Sequence, residues 1–265
     1  MNLNKNIELA IKASLLAGNE ILKVYNTDDF EIKIKSDNSP LTLADQKAHK
    51  IIVDILKETN IPVLSEEGKD IAFEERSKWE YYWLVDPLDG TKEFIKRNGE
   101  FTVNIALIHQ QTPIAGVIYV PVTRDLYFSE NEFGAFKAIN VDSQSDLKQI
   151  VNQGFKLPFV EYNEVYTVVG SRSHMNQETE DFIANLKKEH GELEFMSKGS
   201  SLKICMVAEG LANIYPRFAP TMEWDTAAGH AIAIGAGCII IQSDEKSPVV
   251  YNKKDLLNPW FIIKR

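Results

Sequence analysis

Apolar positions recur with helical spacing twice in the first sixty residues. One stripe runs from Ile7 to Tyr25 and a second from Ala44 to Leu56, so each segment predicts an amphipathic helix. From 61 to 130 the pattern changes to short apolar runs typical of strands, and the turn formers at 110–113 predict a hairpin. This half therefore predicts an α+β unit with an antiparallel sheet, whose strands are 61–65, 81–85, 101–109, 114–120 and 125–130.

The second half of the chain alternates strand and helix patterns. Residues 137–163 are polar and weakly periodic, so we interpret them as the crossing between two lobes. Strand–helix alternation after them indicates a largely parallel, helix-covered sheet. The predicted fold class is α/β, with an α+β lobe over 1–140 and an α/β lobe over 141–265. The predicted elements of the second lobe are strand 165–169, helix 176–188, strand 193–197, helix 200–209, strand 212–216, helix 225–235 and strand 238–242.

Composition and charge narrow the class of protein. The chain has 265 residues, of which 44% are hydrophobic and 25% charged, as in globular proteins that bury a core without disulfides. Cys205 and Cys238 lie in apolar stretches, so we expect reduced core thiols in a cytoplasmic protein. A net charge of −9 argues against nucleic-acid binding. We expect no signal peptide or spanning segment, and membrane association that is at most peripheral.

The segment most informative about chemistry is Y-Y-W-L-V-D-P-L-D-G-T at 81–91. An apolar strand runs into Asp86, and Asp89 follows within ~10 Å of chain, so both carboxylates can reach one divalent-metal site. Gly90 permits close backbone approach, and the amides of Gly90 and Thr91 can face a phosphate if a helix begins there. Oxygen ligands beside such an anion cradle suit Mg²⁺. The alternative is a plain surface turn, because Asp, Pro and Gly are all turn formers.

Two other acidic segments are candidate metal ligands only if they lie close to this turn. Glu66 and Glu67 follow the strand-like run 61–65 and are either metal ligands or residues of a solvated loop. Asp225 stands where the predicted helix 225–235 begins, so it is either a ligand or a cap of that helix.

Asp45 also has two readings from the residues alone. Thr42 and Asp45 have the T-x-x-D spacing of a capping box ahead of the second predicted helix. Alternatively, Asp45 accepts a hydrogen bond from the Thr91 hydroxyl, which would leave that hydroxyl oriented to accept a proton from an attacking water. Sequence spacing permits both arrangements.

Taken together, these segments resemble the lithium-sensitive, metal-dependent phosphatase superfamily typified by inositol monophosphatase. That superfamily carries a Glu-Glu pair, then D-P-x-D-G-T, then W-D, in the order found here, with an upstream aspartate at the place of Asp45. Within it, the chain resembles the bacterial 3′(2′),5′-bisphosphate nucleotidases. The additional segments that carry this closer resemblance are K-S-D-N-S-P-L-T-L-A-D, P-V-L-S-E-E, K-E-F-I-K-R-N-G-E-F-T-V-N, S-R-S-H, G-S-S-L-K and Y-P-R-F-A-P-T.

The resemblance implies a layered αβαβα sandwich with the site between the lobes. It also implies Mg²⁺-dependent hydrolysis of the 3′-phosphate of adenosine 3′,5′-bisphosphate to AMP and phosphate, in sulfate assimilation and nucleotide recycling. The sulfated form of that nucleotide is a further implied substrate. Two or three Mg²⁺ ions would take part, and a metal-activated water would attack in line.

The resemblance also assigns roles to residues. Glu66 and Thr91, backed by Asp45, would position and deprotonate the water. The implied metal ligands are Glu66, Asp86, the Leu88 carbonyl, Asp89 and Asp225. The implied substrate contacts are Glu66, Leu88, Asp89, Gly90, Thr91, His174, Ser200, Lys203, Arg217 and Asp225.

Three alternatives stay open from the sequence. The same site could act on inositol 1-phosphate or on fructose 1,6-bisphosphate, and the chain could be a non-catalytic metabolite-binding protein. Without the resemblance, Lys203 and Arg217 would be interpreted as solvated surface cations. The oligomeric state is also left open.

Overall fold

The computed structural model describes residues 5–27, 33–34, 40–130, 133–161, 164–171 and 175–265. Both predicted helices of the first sixty residues are confirmed. The helices are α1 (Lys5–Tyr25), α2 (Leu43–Leu56), α3 (Phe73–Arg76), α4 (Thr91–Ile95), α5 (Leu147–Gln153), α6 (Gln177–His190), α7 (Leu202–Glu209) and α8 (Glu223–Gly235).

The strands form two main sheets and one short pair. The short pair joins β1 and β2 near the start of the chain. The strands are β1 (Lys33–Ile34), β2 (Pro40–Leu41), β3 (Val63–Ser65), β4 (Tyr81–Asp89), β5 (Thr102–His109), β6 (Thr112–Val120), β7 (Asp125–Glu130), β8 (Gly134–Ala138), β9 (Phe155–Lys156), β10 (Tyr166–Gly170), β11 (Leu193–Ser197), β12 (Ile214–Arg217), β13 (Ile239–Gln242) and β14 (Phe261–Lys264).

The larger sheet has seven strands in the order β3-β4-β5-β6-β7-β8-β9. Only β3 and β4 are parallel, and every other neighbouring pair is antiparallel, as predicted for this half. The predicted hairpin is confirmed, because His109 pairs with Thr112 across a two-residue turn. The apolar run of β4 is continuous because side chains alternate between two covered faces, with Trp83 on one and Tyr82 on the other.

The smaller sheet has five strands in the order β11-β10-β12-β14-β13. The strands β10, β11 and β12 are parallel, whereas β14 runs antiparallel to both of its neighbours. The prediction of a largely parallel sheet is therefore wrong for two of its four pairings. The cause is β14, which no periodic signal marked, and which inserts between β12 and β13.

Packing produces the predicted five layers. Helices α1 and α2 cover one face of the seven-stranded sheet, where Ile11 and Ile52 pack with Trp83. Helices α7 and α8 lie between the two sheets, and Ile232 and Ile263 belong to the core on that side. Helix α6 covers the outer face of the smaller sheet. The layered αβαβα sandwich is confirmed.

The segment 137–163 contains more structure than its polarity predicted. Helix α5 begins after Asp146, whose carboxylate caps it by accepting from the Lys148 N–H at 2.7 Å. Strand β9 then pairs with β8 and extends the seven-stranded sheet to residues 155–156. The division of the chain at residue 140 stays a prediction.

Helix α8 approaches the seven-stranded sheet unusually closely. A Cβ on Gly116 of β6 would collide with the carbonyl of Ala228, so the small residues of both elements permit this contact. Because α8 carries Asp225, this close packing brings the Asp225 carboxylate toward the end of β4. No helix within the described residues is long and apolar enough to cross a membrane.

Candidate active site

The end of β4 carries the D-P-x-D-G turn. The pairing register with β5 shifts between Asp86 and Asp89, so the strand bulges where the two aspartates lie. The Leu88 N–H donates to Asp86 Oδ1 at 3.0 Å, and the Asp86 side chain is buried, whereas Asp89 is only partly buried. The strand therefore presents one buried and one accessible carboxylate at the same edge of the sheet.

Gly90 ends the strand in the left-handed region, at φ 92°, and α4 begins at Thr91. A Cβ on Gly90 would lie 3.1 Å from the Glu100 carbonyl oxygen and 3.3 Å from Ser200 Cβ, so both the conformation and the space call for glycine. The predicted helix start is confirmed. The first N–H groups of a helix have no partner within the helix, which suits an anion there.

Asp45 forms the predicted capping box and also lies within hydrogen-bond distance of the Thr91 hydroxyl. Its Oδ2 accepts from the Thr42 N–H at 2.8 Å and completes a capping box at the start of α2. Its Oδ1 lies 3.3 Å from Thr91 Oγ1, which lies equally far from the Leu88 carbonyl oxygen. One carboxylate thus joins a helix cap to the hydroxyl beside the aspartate turn.

Four acidic side chains from three stretches of the chain influence one another here. Burial raises the pKa of Asp86 well above its ordinary value, and the charges of Glu66, Asp89 and Asp225 raise this pKa further. Burial likewise raises the pKa of Asp225, as do the charges of Asp89 and Glu66. Negative charge is therefore concentrated between the end of β4 and the start of α8.

Protein donors hold the two carboxylates at the rim of this cluster. Asp89 Oδ2 accepts from Ser200 Oγ at 2.6 Å, from the Ser201 N–H at 2.7 Å and from Asn104 Nδ2 at 3.4 Å. Asp225 is the third residue of α8, and its Oδ2 accepts from the N–H of the residue before the helix at 2.9 Å. The alternative reading of Asp225 as the N-cap is therefore wrong, because the helix begins two residues earlier, at Glu223; Asp225 instead bonds the N-cap N–H from the first turn.

A divalent metal fits the chemistry of this donor set. The available donors are carboxylate oxygens and the Leu88 carbonyl, which are the hard ligands that Mg²⁺ prefers. Within the described ranges, no three acidic, histidine or cysteine side chains already stand close enough to hold an ion by themselves. To bind an ion, Asp89 and Asp225 would exchange their present hydrogen bonds from protein donors for bonds to the metal.

A cavity of about 170 Å³ opens beside the acidic cluster. Asp89 and Asp225 line it on one side, and Lys203 and Arg217 line it as well. Burial lowers the pKa of Lys203 to about 8, against the opposing effect of the Asp89 charge and with a smaller lowering by Arg217. Lys203 Nζ donates to the Ser200 carbonyl at 2.6 Å and lies 5.6 Å from the centre of a tyrosine ring. Acidic and basic groups therefore face one space.

The structure brings together most of the residues singled out from the sequence. Asp45 and Thr91 are in hydrogen-bond contact, and Glu66 interacts with the buried Asp86. His174 lies outside the described residues. The predicted residues that line the cavity are Asp89, Gly90, Ser200, Lys203, Arg217 and Asp225.

Three residues near Asp89 escaped the sequence analysis. Thr102 Oγ1 lies 2.7 Å from Ser200 Oγ and 2.8 Å from Ser201 Oγ, and Asn104 accepts from Thr102 and from Ser201, each at 3.0 Å. The signal that could have found the two β5 residues is pairing register, because Asn104 lies opposite Asp86 and Thr102 opposite Asp89.

The chain is similar to known proteins over nearly its whole length. The model of the inositol monophosphatase family matches residues 2–260. The chain is 47% identical over 249 residues to the 3′(2′),5′-bisphosphate nucleotidase CysQ of Escherichia coli (strain K12), covering 92% of this chain and 94% of that one. The corresponding protein of Salmonella typhimurium is 46% identical over 248 residues, with the same coverage.

Solved structures show the same fold. CysQ from Bacteroides thetaiotaomicron, described as a bacterial member of the inositol monophosphatase family, superimposes with a TM-score of 0.91 at 54% identity, covering 98% of this chain and 96% of that one. The inositol monophosphatase of Thermotoga maritima superimposes with a TM-score of 0.73 at 20% identity, covering 98% and 92%. The chain belongs to the inositol monophosphatase family, whose members are metal-dependent phosphatases that act on small-molecule phosphate esters.

Proposed function

We propose that this chain is a Mg²⁺-dependent 3′(2′),5′-bisphosphate nucleotidase, which hydrolyses the 3′-phosphate of adenosine 3′,5′-bisphosphate to AMP and phosphate. The relatives of 46% and 47% identity are both named 3′(2′),5′-bisphosphate nucleotidase. The sulfated form of the nucleotide, which has the same 3′-phosphate, is a second substrate of the proposal. Such a reaction serves sulfate assimilation and nucleotide recycling.

The observation that carries the proposal is the pairing of opposite charges around one cavity. Asp89 and Asp225 offer ligands for divalent cations, which would attract one phosphate of the substrate. Lys203 and Arg217 line the same cavity and suit a second phosphate, the arginine as a planar fork and the lysine as a point charge. A substrate with two phosphates uses both groups, whereas a monophosphate leaves the two cations without a role.

In this proposal each group at the site has a defined task. Glu66, Asp86, the Leu88 carbonyl, Asp89 and Asp225 would hold two or three Mg²⁺ ions. When bound, these ions would lower the pKa of a water and neutralise charge on the leaving oxygen.

The Thr91 hydroxyl is central to the proposed water attack. By donating its proton to Asp45, which lies 3.3 Å away, it keeps a lone pair available to accept a proton from the water. Glu66 would help to position and deprotonate the same water, while the Gly90 and Thr91 amides hold the scissile phosphate. The water then attacks phosphorus in line with the 3′-oxygen, the P–O3′ bond breaks, and the leaving oxygen takes a proton from solvent to become the 3′-hydroxyl of AMP.

The proposal places the reaction in the cytoplasm, with attachment to the inner face of the membrane at most peripheral. Cys205 and Cys238 are both buried and free, which suits a reducing compartment.

A comparison of three substrates tests the proposal. We expect kcat/KM for adenosine 3′,5′-bisphosphate to exceed that for inositol 1-phosphate and fructose 1,6-bisphosphate, and we expect EDTA to abolish the activity and Li⁺ to inhibit it. A preference for inositol 1-phosphate would overturn the substrate assignment but leave the metal site in place. Mg²⁺-independent turnover, or none with any phosphate ester, would overturn the proposal as a whole.

Arg217→Gln sharpens the same test. This variant should raise KM for the nucleotide bisphosphate at least ~10-fold, because a charge-assisted hydrogen bond to the second phosphate is lost. It should leave KM for inositol 1-phosphate unchanged. Equal effects on both substrates would argue that Arg217 contacts no second phosphate.

A further inference from the structure

The two segments that carry Glu66 and Asp225 are joined by a third segment, residues 252–258. Glu66 follows β3 in the first lobe, and Asp225 lies in the first turn of α8 in the second. Each lobe therefore supplies acidic groups to one site. Something must hold the two lobes at a fixed distance, and the 252–258 segment is placed to do so.

Arg76 fastens the Glu66 side to this segment. It ends α3, ten residues after Glu66, and its side chain is only 3% exposed. Its Nη1 donates to Asn252 Oδ1 at 2.7 Å and its Nη2 donates to the Lys254 carbonyl at 2.9 Å. The Asn252 amide returns a bond to the Arg76 carbonyl at 2.8 Å. This reciprocal set of three hydrogen bonds spans 176 residues of sequence.

Glu223 fastens the same segment to α8. It is the first residue of that helix, two before Asp225, and it is fully buried. Its carboxylate accepts from the Asn252 N–H at 2.6 Å, from the Lys253 N–H at 3.1 Å and from Lys253 Nζ. The Asn252 backbone is left-handed, at φ 59°. Its N–H bonds Glu223, while its side chain bonds Arg76.

Asn258 adds a second attachment at the far end of the segment. Its side-chain Nδ2 donates to the Met222 carbonyl at 2.7 Å, immediately before α8, and to Thr226 Oγ1 at 3.0 Å within it. One cleft of about 380 Å³ is lined by Glu66, Arg76 and Trp224 together, so this network lies directly beside the proposed metal site.

We infer that Arg76 is a positioning residue, which acts through Asn252 and Glu223 to set the distance between Glu66 and Asp225 and so determines how tightly the site binds divalent cations. The inference rests on the proposed function, because it assumes that these two carboxylates share ions. Arg76 touches neither the ions nor the substrate in this scheme. Its role is to keep the two lobes in register before any ion binds.

Two variants separate positioning from folding. Arg76→Lys keeps the positive charge, but a lysine cannot reproduce the planar fork that bonds Asn252 and Lys254 together. Asn252→Gly tolerates the left-handed backbone and keeps the N–H to Glu223, while it removes both amide bonds to Arg76. The measurement is a titration of the metal-free full chain with Mn²⁺, followed by electron paramagnetic resonance without substrate. Each variant should bind Mn²⁺ roughly 10-fold more weakly than the wild type, the scale typical of lost outer-shell support.

Lys137→Met is the matched control. Lys137 also makes a largely buried ion pair, with Glu209 of α7 at 2.7 Å, but far along the chain from the proposed ligands. This variant should lose unfolding free energy while its Mn²⁺ affinity stays at the wild-type value. Unchanged Mn²⁺ affinity in both test variants would overturn the positioning role, as would an equal loss in the control. Failure of the wild type itself to bind Mn²⁺ would instead overturn the proposed metal site.

Discussion

Two clusters of buried carboxylates differ in how their charge is balanced. In the first, Glu209 at the end of α7 accepts from Tyr127 Oη and Lys137 Nζ, each at 2.7 Å, and Lys137 also pairs with Asp125 at 3.3 Å. Burial lowers the pKa of Lys137, but the hydrogen bond and charge of Glu209 outweigh it and raise that pKa overall. This cluster contains its own cation and its own donors.

In the second cluster, around Asp86, the described residues that act most strongly on the pKa of Asp86 are all acidic, although Arg217 lowers the pKa of Asp225. Asp86 is as buried as Glu209, yet the charges that act on its pKa are those of Glu66, Asp89 and Asp225, and all of them raise it. The difference is that Glu209 is in contact with a cation, whereas Asp86 lies among carboxylates whose mutual repulsion an added divalent cation would relieve. A balanced cluster stabilises the fold, and an unbalanced one suits a ligand of opposite charge.

The largest expected effect is on catalysis at the unbalanced cluster. Asp89→Asn should fold but lose about a thousand-fold in kcat, because a ligand charge for Mg²⁺ disappears from the transition state. Asp125→Asn, which changes an acidic residue of the balanced cluster, is the control and should keep kcat. Phosphate release at saturating Mg²⁺ measures both. A near-normal kcat for Asp89→Asn would remove the basis of the metal assignment.

The balanced cluster should respond in stability instead. Lys137→Met leaves Glu209 buried without its cation, so the free energy of unfolding should fall by about 3 kcal/mol. The kcat of the folded enzyme should not change. Urea unfolding followed by circular dichroism measures the first quantity, and an assay well below the unfolding midpoint measures the second. An unchanged free energy of unfolding would show that Lys137 does not balance the charge of Glu209.

Thr91 tests the link between the capping box and the proposed water. Thr91→Val removes the hydroxyl at nearly constant volume and should lower kcat about 100-fold, the scale of general acid–base assistance. Thr91→Ser keeps the hydroxyl and should retain most of the activity. Steady-state kinetics should show the loss in kcat with KM little changed. Similar losses in the two variants would indicate that the methyl group, not the hydroxyl, is what matters.

The smallest effect is a pH dependence of stability in the metal-free protein. Asp86 and Asp225 have raised pKa values in the folded state, so the stability they contribute is present below the ordinary carboxyl pKa of about 4 and is lost as pH rises through the folded values. The loss amounts to roughly 1.4 kcal/mol for each unit of raised pKa.

Urea midpoints in EDTA, measured from pH 4 to pH 8 on wild type and Asp86→Asn, isolate this contribution from other titrating groups. The wild type should lose more stability than the variant as pH rises, and saturating Mg²⁺ should reduce the difference. Parallel pH curves for the two proteins in EDTA would show that the pKa of Asp86 is not raised in the folded state.

The sequence by itself determined the local elements and the chemistry at the end of β4. Apolar periodicity predicted α1, α2, α6 and the antiparallel strands because each buries one stripe or two faces, which leaves a direct record in the residue order. Gly90 and Thr91 likewise mark a helix start by local conformation alone. By contrast, β14 and β9 are short strands whose existence depends on a neighbouring edge, and no local pattern predicted them.

Only the tertiary structure decided which distant groups meet. The register of β4 against β5 brings Thr102 and Asn104 to the aspartate turn, and the 252–258 segment brings Arg76 to the start of α8. It also showed that Asp45 serves a cap and the Thr91 hydroxyl together. The physical reason is that periodicity and turn chemistry act over a few residues, whereas register, lobe spacing and charge balance arise between segments that lie far apart in the chain.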